Sequence, residues 1–143
     1  MPNRPPRYRA ADTAQQLIGG FLLAGPFVVT EEVWMLAVRM GWLNGLGTAA
    51  VVVTIGYTAL YGADAKRDPE IESDLGGVPL RFVSLLAVAF GSVILLVVLF
   101  DAPSTFFAAL DVPPEQRPGT LFRVICVGSV FSVVGAATAD SVF

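Results

Sequence analysis

The chain has no histidine, one cysteine and one lysine, and only 15% of its 143 residues are charged. The missing histidine removes the commonest metal ligand and the commonest general base. The lone Cys126 excludes an intrachain disulfide and says little about redox compartment. The basic residues are scattered, so nucleic acid as a partner has no electrostatic footprint. No nucleophile–base pair, phosphate-binding glycine loop or dinucleotide fingerprint occurs. The Gly19-Gly20 pair lies inside an apolar stretch rather than between a strand and a helix. The expectation is therefore a non-enzyme, with no catalytic residues, no metal and no cofactor.

Apolar residues are abundant: 55% of the chain, with a mean hydropathy of +0.69. A soluble domain is about 45–50% apolar and about 25% charged. At this size surface still dominates, and one core cannot absorb the excess. Residues 78–100 carry a single charge, Arg81, which is the signature of a transmembrane helix. Four such spans are predicted, at about 17–38, 43–61, 78–100 and 119–143. In lipid the backbone must satisfy itself, so helices are the default. The alternating pattern of a membrane β-barrel is absent. The expected fold is all-α: a polytopic membrane protein with four transmembrane helices over 17–143, preceded by a polar arm at 1–16. A cleaved signal peptide fits poorly, because the apolar character continues past residue 29 without a small-x-small site.

The arm carries Arg4, Arg7 and Arg9, and the loop at 63–77 carries Lys66, Arg67 and the acids Asp64, Asp68, Glu70, Glu72 and Asp74. Those acids lack the ligand order of an EF-hand and read as a solvated loop. With Arg81, six basic residues fall on the side of the N-terminus, against Arg39, Arg117 and Arg123 on the other. The positive-inside rule then predicts a cell-membrane protein with both termini cytoplasmic. Residues 104–110 read as a short interfacial helix with Phe106, Phe107 and Leu110 toward the membrane. Trp42, Tyr57 and Tyr61 suit interfacial belts, Trp34 suits helix packing, and Asn44 suits either a helix cross-link or the end of a turn. One lysine against eight arginines, with acidic loops, suits a high-salt organism.

The stretch 19–42, with its core Pro26-Phe27-Val28-Val29-Thr30-Glu31-Glu32-Val33-Trp34-Met35, resembles an uncharacterised family of integral membrane proteins of archaea and bacteria, known as a domain of unknown function. Its first helix carries a Gly/Ala-x-Pro segment followed by a Thr/Met-Glu pair beside Val-Trp. The four-helix length fits the short archaeal members. Longer members look like two related halves, so the resemblance implies a chain that pairs with itself. It implies no activity.

Glu31 and Glu32 are the sharpest chemical feature. Carboxylates inside a bilayer cost several kcal/mol and usually face a partner or a water-filled cavity. Adjacent side chains on a helix diverge by about 100°, so the two act together only if the helix is broken. Gly25 and Pro26 supply the expected break, since Pro26 cannot bond the carbonyl of Leu22. Broken helices with acids near mid-membrane recur in cation and proton sites. In that reading Thr30, Glu31 and Glu32 bind a cation or relay a proton, and Asp140 is a second acidic station. The structural alternative pairs Glu31 or Glu32 with Arg123, predicted at similar depth on the last span; Arg39 snorkels outward. Gly128, Ser132, Ala136 and Asp140 form a small-residue ladder with Gly135 alongside, a helix-packing signal. Gly41-x-x-x-Gly45 is a weaker version.

Two function classes follow. One is a cation or proton channel or transporter, built as a homo-oligomer in the lipid bilayer with acidic rings. The other is a non-catalytic accessory subunit of a membrane complex. An intramembrane enzyme is disfavoured by the residues the chain lacks.

Overall fold

A computed structural model describes residues 9–62, 74–75 and 77–142. Arg4, Arg7, Asp64, Lys66, Arg67, Asp68, Glu70 and Glu72, on which the charge asymmetry and the acidic loop rest, lie outside the described residues. Among the described residues there are six α-helices: α1 (Ala10–Val28), α2 (Glu31–Arg39), α3 (Trp42–Tyr57), α4 (Leu80–Leu99), α5 (Ala102–Ala109) and α6 (Arg117–Val142). A π-helical turn, Thr58–Gly62, prolongs α3. Two-residue strands, β1 (Asp74–Leu75) and β2 (Val78–Pro79), pair antiparallel just before α4. Gly77 turns between them with φ +90, a conformation that favours glycine. The chain is all-α and has the make-up of a polytopic membrane protein. Three helical segments, Trp42–Gly62, Leu80–Leu99 and Pro114–Ser141, are long and apolar enough to cross a membrane, and α1 with α2 makes a fourth if that bent pair is one span.

The helix α6 is the hub, and α1, α3 and α4 each pack against it. Residue pairings give the directions. Gly19 meets Gly135 and Ala139, and Gly128 meets Val28, so α1 runs antiparallel to α6. Arg81 meets Asp140 and Ser92 meets Ser132, so α4 is antiparallel to it too. Gly45 meets Phe122 and Gly56 meets Val133, so α3 is parallel to it. The small-residue ladder is thus where α1 and α6 approach most closely: a Cβ on Gly19 or Gly135 would run into the other's carbonyl.

The first helix differs from its predicted form at both ends. It begins at Ala10, seven residues before the predicted span, and takes in half of the predicted polar arm. Asp12 explains the early start: its carboxylate accepts the Arg9 backbone N–H at 2.8 Å while its own N–H bonds the Arg9 carbonyl at 2.9 Å, which caps the first turn. The break is not at Gly25-Pro26. Pro26 sits inside α1, and the chain turns by 78° only after Val28. Proline removes its own N–H bond and strains the turn before it, but here the helix continues until the β-branched Val28-Val29-Thr30 run. The carbonyls freed at the break are taken up locally. Thr30 Oγ1 donates to the Phe27 carbonyl at 2.7 Å, and the Trp34 indole N–H donates to the Val28 carbonyl at 2.9 Å.

Beyond the break, α2 and α5 lie together across one end of the bundle. Trp34, wholly buried, stacks on Phe106 and meets Phe107 edge-on at centroid distances of 5.1 and 5.4 Å. Val33, Ala37, Ala102 and Val112 complete this cap over Val28, Val93, Val97 and Val124. Helix α5 starts two residues before the predicted 104–110, because Asp101 adopts a left-handed conformation (φ 51) that reverses the chain, and Ser104 donates to its carboxylate at 2.9 Å. Asn44 Oδ1 accepts the Gly41 N–H at 2.8 Å, holding the turn into α3 rather than cross-linking helices. Outside, the bundle presents Leu22, Leu43, Val98 and Leu99, all about two-thirds exposed. Inside, at the end opposite the cap, it holds charge. An exterior this apolar suits lipid rather than water, and buried charge in such a setting faces protein partners.

Candidate functional site

Three helices contribute one residue each to a buried charge cluster. Asp12 on α1, Arg81 on α4 and Asp140 on α6 are 8%, 8% and 3% exposed. Arg81 Nη1 donates to Asp140 Oδ1 at 2.6 Å, and Nη2 to Asp12 Oδ2 at 3.3 Å. The first is a short charge-assisted bond and the second is long. Two carboxylates on one guanidinium give this trio a formal charge of −1. The cost of burying Arg81 in the first turn of an otherwise uncharged helix is offset by these two partners.

A polar seam rises from the triad along the same three helices. One turn above it, Ser84 donates to Gln16 Oε1 at 2.7 Å, and the Thr13 and Ser84 hydroxyls meet at 3.2 Å. Two turns above, the Ser92 and Ser132 hydroxyls bond at 2.7 Å opposite Gly20. A Cβ at Gly20 would lie 2.8 Å from Ser132 Oγ, so glycine there leaves room for the hydroxyl pair. Ser129 turns back to the Ile125 carbonyl at 2.7 Å. Above that level the interior is apolar: Ala24, Val28, Val93 and Val124 are buried there. The register is simple. Asp12, Gln16, Gly20, Ala24 and Val28 are spaced by four along α1, and Val124, Gly128, Ser132, Ala136 and Asp140 by four along α6. Both rows are buried. Each therefore runs from a carboxylate at one end to an aliphatic side chain at the other over about 24 Å of helix.

The residues singled out from sequence fall in different places. Asp140 belongs to the triad. Ser132 is in the seam, and Gly128, Gly135 and Ala136 pack the α6 face that α1 and α4 cover. Glu31 and Glu32 are exposed in the first turn of α2, where a helix N-terminus favours negative charge. Neither bonds another side chain among the described residues. The expected pairing with Arg123 is not what the structure has. Arg123 Nε donates to the Ala37 carbonyl at 2.8 Å and Nη2 to Thr120 Oγ1 at 3.2 Å, so it ties α6 to the C-terminal part of α2 instead. Thr30 spends its proton on Phe27 at the break. Sequence reasoning missed Asp12, Gln16 and Arg81 as site residues. For Asp12 and Gln16 the signal was the four-residue spacing that carries the buried face of α1 back into the supposed arm, and for Arg81 it was its standing as the single charge of 78–100.

No family model, curated protein or solved structure matches this chain.

Proposed function

We propose that the chain is an integral membrane protein that moves protons or small cations, acting as a homo-oligomer, with Asp12, Arg81 and Asp140 as its ion-handling station. The observation that carries this reading is the pair of buried carboxylates sharing one guanidinium. Buried carboxylates are groups that a proton or cation can neutralise, and intramembrane ionisable groups mark such pathways. If both termini are cytoplasmic, as the basic residues suggest, the station opens toward the cytoplasm. The aliphatic layer and the α2–α5 cap then close the far half, which favours a carrier over an open pore. Glu31 and Glu32 act at the far mouth as surface acids that concentrate cations. Thr30 holds the bend that presents them. Membership of the uncharacterised family resembled by 19–42 is part of the same proposal.

The test is flux in proteoliposomes carrying an internal pH dye, under an imposed potassium-diffusion potential. Asp140→Asn keeps the shape of the site and abolishes flux. Glu31→Gln with Glu32→Gln lowers it without abolishing it. Unchanged flux in assembled Asp140→Asn protein overturns the proposal.

A second reading, an accessory subunit, draws on a different observation. Glu32, Met35, Leu36 and Arg39 line a shallow cavity of about 340 Å³ on the side of α2 turned away from the bundle, a surface suited to another membrane chain. Purification from native membranes separates the two: a homo-oligomer alone favours transport, and a stable foreign partner favours the accessory role.

A further inference from the structure

Gln16 is wholly buried, and its amide is half satisfied. Oε1 accepts from Ser84, while Nε2 has no partner among the described residues. Exchanging the two amide atoms does not repair this. Nε2 would then face Ser84, and Oε1 would be left alone. An unsatisfied buried polar atom is costly, and in a membrane no bulk water reaches it. Buried polar atoms of this kind are ordinarily met by internal water, each water making about three hydrogen bonds. The surroundings suit one. Gln16 follows Asp12 by one turn on α1, its partner Ser84 follows Arg81 by three residues on α4, and the next turn of α1 meets Gly135, Ala139 and Ser132 on α6 and Ser92 on α4.

We infer that Gln16 holds an internal water site directly above the Asp12–Arg81–Asp140 triad, with the amide as its anchor and the seam hydroxyls as its walls. Residues 12 and 16, and again 16 and 20, stand about 6 Å apart along the helix, so Gln16 lies midway between the carboxylates and the Ser92–Ser132 pair. Under the transport reading, which this inference extends, the site is the first station a proton reaches beyond the carboxylates. The water itself does not depend on that reading.

A density map of the full chain in lipid nanodiscs, at a resolution that shows waters, tests the site directly. The expected result is a peak within hydrogen-bond distance of the Gln16 amide in the parent protein and its loss in Gln16→Met, which keeps length and removes polarity. A parent amide that instead meets a protein or lipid atom, with no water peak, overturns the inference whether or not the variant folds. Flux measured on the same preparations separates the two ideas. A water peak with Asp140-independent flux sinks transport through the triad and leaves the site standing. Asp140-dependent flux without a water peak does the reverse.

Discussion

Replacing Arg81 by methionine tests the whole arrangement of the charged end. The substitution keeps an unbranched, helix-compatible side chain and removes the guanidinium that α1 and α6 share. The 2.6 Å bond to Asp140, whose side chain has no exposure, falls in the class of charge-assisted bonds contributing about 1.5–3 kcal/mol. The 3.3 Å contact with Asp12 contributes less, because it lies beyond the usual N–H···O range. Left behind are two carboxylates with their shared countercharge gone, and breaking a buried pair in that way costs about 3–5 kcal/mol. Arg81→Met should therefore lose about 3–5 kcal/mol. Asp140→Ala follows, and Asp12→Ala is the mildest because it forfeits the weaker contact and a helix cap of about 1 kcal/mol. The double variant Arg81→Met with Asp140→Ala should lose less than the sum of its singles, since the second change removes a charge that the first had stranded. Unfolding titrations in mixed micelles, followed by far-ultraviolet circular dichroism, measure all four. Tryptophan emission is the wrong probe, because Trp34 and Trp42 both sit at the capped end. Arg81→Met within about 0.5 kcal/mol of the parent, the range of ordinary surface changes, refutes the triad.

Two further outcomes follow from packing. Gly135→Ala should cost about 1–3 kcal/mol by forcing α1 from α6, because its Cβ meets the Gly19 carbonyl, whereas Gly91→Ala, with nothing within 4 Å, should be neutral or gain up to about 1 kcal/mol. The same micelle titration reads both, and equal effects would remove the close α1–α6 crossing. Trp34→Phe preserves a ring against Phe106 but leaves the Val28 carbonyl without its indole donor, at a cost of about 1–3 kcal/mol. Spin labels on α1 and α2 should then report a wider spread of angles around the 78° bend, and an unchanged distribution would assign that bend to the backbone alone.

Hydropathy located the helices because a membrane span is a compositional object. The central parts of α3, α4 and α6 are visible as runs, and their ends shift by only a few residues. The start of α1 was not visible in the same way. Asp12 and Gln16 look like the polar tail of an arm until Arg81 and Ser84, some seventy residues later, are known to face them. Pairing across that distance leaves no local trace. The break after Val28 shows a second limit. Gly25-Pro26 is the strongest local breaker, yet a helix tolerates proline when the chain beyond it stays helical, and the bend moved to where Thr30 and Trp34 take up the carbonyls. Glu31 and Glu32 drew attention as carboxylates in an apolar run, but the 78° turn brings them to the surface. Asp140 and the small-residue ladder were legible because four-residue spacing along one helix is local information.

The triad also imposes an order on synthesis. Arg81 enters the membrane with Asp12 already made, but Asp140 is 59 residues further on. At about 5–20 residues per second that is a delay of about 3–12 s. During that interval the long contact with Asp12 is already available, and the short one forms only when α6 packs against α1 and α4. The geometry thus separates a provisional partner from a final one. The arrival of the last helix becomes the step that commits the bundle.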